Sequence, residues 1–190
     1  MTLPLALDLS LLPAALVGTG PQLLKRLQMF DGERIPGLAI FAPEPDAAIM
    51  ASAGGRLIGR LPEEAEIAAL RILFVAGLPM PQSARLAALA RDHRVLVNVE
   101  DSLPLCDFHV PAIVRRGHLA ISVSTGGTSP TLARRLRAYL ESLFPEAWAA
   151  RTAETGLLRE TLRAQGAKPD EVMKAVDALI DAEGWLPPRS

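Results

Sequence analysis

The chain has 190 residues, 49% of them apolar, a formal net charge of -1 and a single cysteine. That size holds one nucleotide-binding domain with a small appendage, and the composition excludes a disordered chain. The charge balance excludes a protein that binds nucleic acid by neutralising phosphates, and the lone Cys106 excludes an internal disulfide and a cysteine-built metal cage.

The apolar start, M-T-L-P-L-A-L-D-L-S-L-L-P-A-A-L-V-G, is broken by Pro4, Asp8 and Pro13 and lacks a basic first segment. It reads as an edge segment feeding the first strand and not as a signal peptide. No apolar run approaches the roughly 20 residues that span a bilayer. A reduced, cytoplasmic setting is the expectation. Residues 14–17 form the first strand, ending in Gly18-Thr19-Gly20, and Pro21 suits the first turn of a helix over 22–30. Leu23, Leu24, Leu27 and Phe30 fall on its buried side, with Lys25, Arg26 and Gln28 opposite. Strands follow at 38–41, 56–59, 72–75 and 95–99, separated by helices at 47–53, 63–70 and 83–92. This alternation predicts a Rossmann-like α/β domain over residues 1–110, with a parallel sheet covered on both faces.

The pattern then changes. Residues 112–115 and 119–124 read as a hairpin across Arg116-Gly117-His118, and 130–144 as a helix capped by Ser129. Together, 111–144 form a hairpin–helix region. Residues 145–190 are helical, with breaks near Gly166 and Lys168-Pro169, and 170–181 is the clearest helix.

The turn V-G-T-G-P-Q-L lies between a strand and a helix, where dinucleotide folds hold a pyrophosphate against a helix N-terminus. Gly18, Thr19, Gly20 and Pro21 are the candidate cofactor residues, although a tight strand–helix turn accounts for them equally well. Glu44 ends the next strand about 20 residues on, where an acid binds the adenosine ribose; a solvated loop acid is the alternative. With no arginine beside it in sequence, Glu44 favours NAD over NADP.

From Asn98 to Arg137 the chain carries N-V-E-D, D-F-H-V-P-A-I-V-R-R-G and I-S-V-S-T-G-G-T-S-P-T-L-A-R in order. This run resembles the bifunctional precorrin-2 dehydrogenase/sirohydrochlorin ferrochelatase family of siroheme synthesis. The resemblance implies an enzyme that oxidises precorrin-2 to sirohydrochlorin with NAD and also inserts ferrous iron. It implies a homodimer whose subunits meet through the 111–144 region, and it makes Asp101 catalytic. A carboxylate at the carboxyl edge of the sheet can take a proton as the substrate is oxidised or metallated; capping the following turn is its plainer role. The tetrapyrrole substrate bears many carboxylates and calls for cations and backbone donors. Asn98, His109, Arg115, Arg116, Ser124, Thr125 and Arg134 are the candidate substrate residues, with solvated or structural roles as alternatives. His93, His109 and His118 lack metal-site spacing, so no fixed metal site is expected.

The chain departs from the family at two places. Leu23 replaces a small residue in the first turn, and Val75-Ala76-Gly77-Leu78-Pro79 lacks the threonine and acid usual after the fourth strand. Ala76 and Gly77 line the cofactor by backbone alone. A non-oxidising relative that binds tetrapyrrole or metal for chelation, delivery or sensing is therefore the rival reading. A nucleotide-binding scaffold without a tetrapyrrole role is the blandest one.

Overall fold

The computed structural model describes residues 3–32, 35 and 37–187. The expected segments 1–110 and 145–190 therefore begin and end in residues, 1–2 and 188–190, that lie outside the described ones. The chain divides into two compact units, residues 1–110 and 111–190.

In the first unit, β1 (Ala14–Gly18), β2 (Ala39–Phe41), β3 (Leu57–Ile58), β4 (Ile72–Ala76) and β5 (Leu96–Val99) form one parallel sheet in the order β3-β2-β1-β4-β5. Between them run α1 (Gly20–Gly32), α2 (Ala47–Ala53), α3 (Glu64–Ala68) and α4 (Met80–Asp92). Successive strand side chains point to opposite faces, and both faces are covered. Leu16, Ile40 and Phe74 meet Leu23, Leu27 and Phe30 of α1 and Ile49 of α2 on one face. Val17, Phe41, Leu73, Val75, Val97 and Val99 meet Ile67 of α3 and Leu86, Ala87 and Ala90 of α4 on the other. That double burial is why the strands read as continuous apolar runs. The Rossmann-like α/β expectation holds.

The strand order reverses direction at β1, with β2 on one side and β4 on the other. The crevice between the carboxyl ends of β1 and β4 is thus the topological switch point, where open α/β sheets place ligands. The expected boundaries shift modestly. Helix α4 starts three residues before Ser83, because Pro81 fits a first turn, where its missing N–H has no helical partner. Strand β3 is two residues long and not four, since Arg60 N turns back to Ile58 O at 2.8 Å.

Strand β5 is a sheet edge, and the chain that follows it seals that edge. Asp107 N donates to Val97 O at 2.8 Å, and Val97 N donates to Asp107 Oδ2 at 3.0 Å. Arg91 of α4 fixes the same carboxylate at 2.9 Å. An edge paired in this way offers no ladder to another chain.

In the second unit, β6 (Ala112–Arg116) and β7 (Leu119–Val123) pair as an antiparallel hairpin, closed by Arg116 opposite Leu119. Gly117 turns at φ +58, and a β-carbon there would lie 3.3 Å from Ala149. Helices α5 (Pro130–Leu143), α6 (Trp148–Ala164) and α7 (Pro169–Ala182) follow. Ser129 Oγ accepts from Leu132 N at 3.3 Å as the expected cap, and Gly166 at φ +83 marks the break after α6. The Arg151 guanidinium stands 4.9 Å from the Trp148 ring and 5.5 Å from the Trp185 ring, tying the chain beyond α7 to α6. Among the described residues no helix is long and apolar enough to cross a membrane.

Candidate functional site

Backbone packing builds the switch-point crevice. Thr19 N donates to Ala76 O at 3.1 Å, and Thr19 Oγ1 donates to Gly77 O at 2.8 Å, so the ends of β1 and β4 are stitched together. A β-carbon on Gly18 would lie 1.9 Å from Ala76 O, and one on Gly77, at φ +71, would lie 2.2 Å from Thr19 O. These two glycines are required by the stitching itself. Gly20 differs. It sits at φ +63 at the start of α1, and an added β-carbon would meet only Gln22 Oε1, at 3.7 Å. The space over Gly20 is open, and the first turn of α1 directs N–H groups and positive potential toward it. Pro21 contributes no N–H there.

Glu44 is exposed just beyond the carboxyl end of β2, the strand beside β1. Sequence spacing shows no arginine near it, but the fold brings one to the same strand. The Arg60 guanidinium lies 5.9 Å from the Phe41 ring centroid. It is bound at both nitrogens by Glu66, at 2.6 and 2.9 Å. Those bonds, with the Glu63 backbone N–H, hold the Glu66 carboxyl down at about 2. The open turn at Gly20, the α1 N-terminus and the acid past β2 fit a nicotinamide dinucleotide. After β4, Gly77-Leu78-Pro79-Met80 offers it backbone and no polar side chain.

On the same carboxyl edge, one strand beyond β4, Val99 ends β5 and Glu100 N donates to Val75 O at 2.9 Å. Asp101 follows at φ +59, a left-handed conformation that a short polar side chain tolerates best, and it is exposed. Glu100 turns the other way. It is 17% exposed, with one oxygen 3.7 Å from Arg26 of α1, itself 13% exposed. Sequence periodicity puts Arg26 on the solvent side of α1; the structure instead folds it back against Glu100. An acid closing the apolar run V-N-V-E was the sequence signal for this pair.

Asn98 is buried, and its amide donates to Phe108 O at 2.9 Å. Cys106 is half-buried, its thiol donating to Val99 O at 3.1 Å and receiving Val99 N at 3.3 Å. These bonds shape the turn that carries Asp101. His109 is half-buried in the segment that follows.

The remaining predicted residues lie in the second unit. Arg116 donates to Phe144 O at 2.7 Å and pairs with Glu146 at 3.3 Å, so its guanidinium binds the hairpin to the end of α5. Arg115, on β6, and Arg134, on α5, are exposed. Ser124 Oγ accepts from Gly126 N at 3.2 Å, and Thr125 Oγ1 accepts from Ser129 N at 3.1 Å. The glycine loop thus satisfies much of its own backbone. A shallow cleft of about 360 Å³ between α6 and α7, lined by Arg159, Arg163, Val172 and Met173 among others, contains none of the predicted residues. Among the described residues, no three His, Cys, Asp or Glu side chains are grouped to hold a metal ion.

Residues 5–112 match the family model described as putative NAD(P)-binding, and residues 116–143 match that of the sirohaem biosynthesis protein central region. The siroheme synthase of Methylococcus capsulatus is 33% identical over 164 residues, 85% of this chain and 34% of that protein. That of Pseudomonas entomophila is 32% identical over 154 residues, 80% of this chain and 33% of its own length. The chain thus spans about a third of the length of these curated relatives. Among solved structures, SirC, a precorrin-2 dehydrogenase, superposes with a TM-score of 0.77 at 23% identity, covering 97% of this chain and 92% of its own. The chain belongs to the family described as putative NAD(P)-binding, and its second unit carries the segment described as the sirohaem biosynthesis protein central region.

Proposed function

We propose that the chain is an NAD-dependent precorrin-2 dehydrogenase, converting precorrin-2 to sirohydrochlorin, and that it also inserts ferrous iron as a substrate metal. One observation carries this reading: the open Gly20 turn and Asp101 stand on the same carboxyl edge of one parallel sheet, just beyond β1 and β5, with only β4 between those strands. The names of the relatives and of the structural neighbour support the same reaction.

Gly18, Thr19, Gly20 and Pro21 hold the pyrophosphate turn, Glu44 takes the ribose, and the backbone of Ala76 and Gly77 lines the nicotinamide end. The bound cofactor supplies the two-electron acceptor. Asp101 takes the proton that leaves the substrate as it is oxidised, and when ferrous iron enters it takes one of the two pyrrole N–H protons displaced, the other passing to solvent. His109 in the first unit, and separately Arg115, Arg134, Ser124 and Thr125 in the second, have the chemistry to meet carboxylates, while Asn98 and Arg116 act by shaping the Asp101 turn and the hairpin. The enzyme works as a homodimer in a reducing cytoplasm. Leu132, Leu136, Tyr139 and Leu143 make an exposed apolar stripe on α5, 39–61% accessible, that suits a second copy.

The test is incubation with precorrin-2 and NAD while sirohydrochlorin absorbance is followed. Asp101→Asn keeps the left-handed turn and removes the base, so turnover falls about a hundredfold or more with the fold intact. Equal turnover in that variant removes Asp101 from the mechanism. The second reading, a non-oxidising tetrapyrrole binder, draws on Pro21's missing N–H and the unpolar side chains after β4. Tight sirohydrochlorin binding without NAD-dependent oxidation establishes it over the first.

A further inference from the structure

We infer that Glu100 and Arg26 are positioning residues for Asp101: the pair anchors the end of β5 to α1 and so holds the catalytic carboxylate in its left-handed turn. The inference rests on the dehydrogenase reading, since it assigns Asp101 the role given there.

Three observations meet at this point. Glu100 is the last residue pinned to the sheet, through its N–H to Val75 O at 2.9 Å, and the next residue is Asp101 at φ +59. Among the described residues, only Asp101 and Arg94 are non-glycine residues with positive φ. A left-handed residue bearing a β-carbon persists where its surroundings determine it. Behind it, Ser102 N returns to Val99 O at 3.3 Å, closing a tight reversal around Glu100 and Asp101.

The Glu100 side chain supplies the determining contact. Its carboxylate is mostly buried, one oxygen 3.7 Å from the Arg26 guanidinium, and its Oε2 is wholly buried with no hydrogen-bond partner in the chain. Burying a carboxylate this way is unfavourable compared with an apolar residue of similar size, so the pair is a poor device for stability. It is a good device for geometry. Arg26 is carried by α1, the helix that begins at Gly20, and its guanidinium reaches Glu100. The pair therefore links α1, which starts at the pyrophosphate turn, to the residue just before the catalytic acid. With Glu100 held inward, the reversal leaves Asp101 on the exposed edge.

Steady-state kinetics of precorrin-2 oxidation on the full 190-residue chain, with thermal melting alongside, tests the assignment. Glu100→Gln should lower kcat about tenfold to a hundredfold, the size expected when a reacting group is displaced by about an ångström, with KM for NAD near wild type, while removing one partner of the buried pair lowers the melting temperature. Arg26→Met should show the same loss, Arg26→Lys should recover most of it, and the double Arg26→Met/Glu100→Gln should lose no more than either single change. Turnover within twofold of wild type in Glu100→Gln overturns the inference. So do losses that multiply in the double variant, or a lower melting temperature with kcat unchanged. If Arg26→Met fails to fold, Arg26→Lys against Glu100→Gln decides alone: Lys near wild type with Gln impaired supports the pair, and both impaired equally overturns it. Wild-type protein that does not oxidise precorrin-2 overturns the dehydrogenase reading itself, which separates that failure from the failure of this one.

Discussion

The two units bury their apolar residues very differently. Of the buried apolar residues among those described, all but Val114 and Val172 lie in the first unit, where the sheet is packed on both faces. Helix α5 of the second unit has no buried residue, although Leu132, Leu136, Tyr139 and Leu143 recur along it at helical spacing. An amphipathic helix derives its stability from packing its apolar face; the first unit's helices pack theirs on the sheet, whereas the apolar face of α5 is left exposed. The proposed chemistry follows the same division. The cofactor turn and Asp101 sit on the rigid sheet, and the cations assigned to the substrate's many carboxylates sit on the hairpin and α5.

The largest expected effect breaks the first unit's core. Phe74 lies between Phe30, at 4.6 Å centroid to centroid, and Phe108, at 5.4 Å, and is 4% exposed. Phe74→Ala should cost about 3–5 kcal/mol in chemical denaturation. A loss as small as that of an exposed helix residue would contradict the packed sheet described here.

A smaller loss is expected at the stitched crevice. Gly77→Ala introduces a β-carbon 2.2 Å from Thr19 O at φ +71, so the ends of β1 and β4 must part. About 1–3 kcal/mol of stability should be lost, and NAD affinity, read by protein fluorescence or calorimetry, should fall with it. Gly20→Ala meets open space, so its cost should come from φ alone, and it should impair NAD binding more than stability.

Much of this was legible from residues alone, and the reason is physical. Buried parallel strands are continuous apolar runs, so β1, β4 and β5 stand out in A-L-V, I-L-F-V and L-V-N-V, and Pro21 and Ser129 mark helix starts by the groups they lack or supply. What stayed hidden depended on distance in space. Arg60 and Glu66 are close in sequence, but nothing in their spacing says that the guanidinium reaches Phe41 of β2. Arg26 and Glu100 are far apart in sequence, and helical periodicity assigns Arg26 to water until β5 brings an acid to it. Gly18, in the first turn, and Gly77, after the fourth strand, read separately as candidate cofactor residues; nothing in the sequence says that each is held against the end of the other's strand.

On the second unit the expected change is in association and not in folding. Leu136→Asp on α5 alters an exposed position, so stability of the isolated chain should change by no more than about 0.5 kcal/mol. Sedimentation should show wild type as a dimer and this variant as a monomer. A wild-type monomer would show that the unburied stripe is not a contact between two copies.

The smallest effect returns to the first unit and depends on pH. Glu66, hydrogen-bonded to Arg60 and to the Glu63 backbone N–H, titrates at about 2 in place of its ordinary 4.5. Its folded-state pKa is depressed, so the stabilisation it gives is complete above 4.5 and is lost as pH falls toward 2. Wild type and Glu66→Gln should therefore differ in melting temperature at pH 7 and converge as pH approaches 2. The pair is solvent-exposed, so added salt should shrink the difference at pH 7. The same variant releases the Arg60 guanidinium beside the strand that ends near Glu44. A rise in NADP use relative to NAD in Glu66→Gln would show that Glu66 keeps Arg60 from a ribose phosphate, and an unchanged ratio would confine the pair to holding β3 against α3.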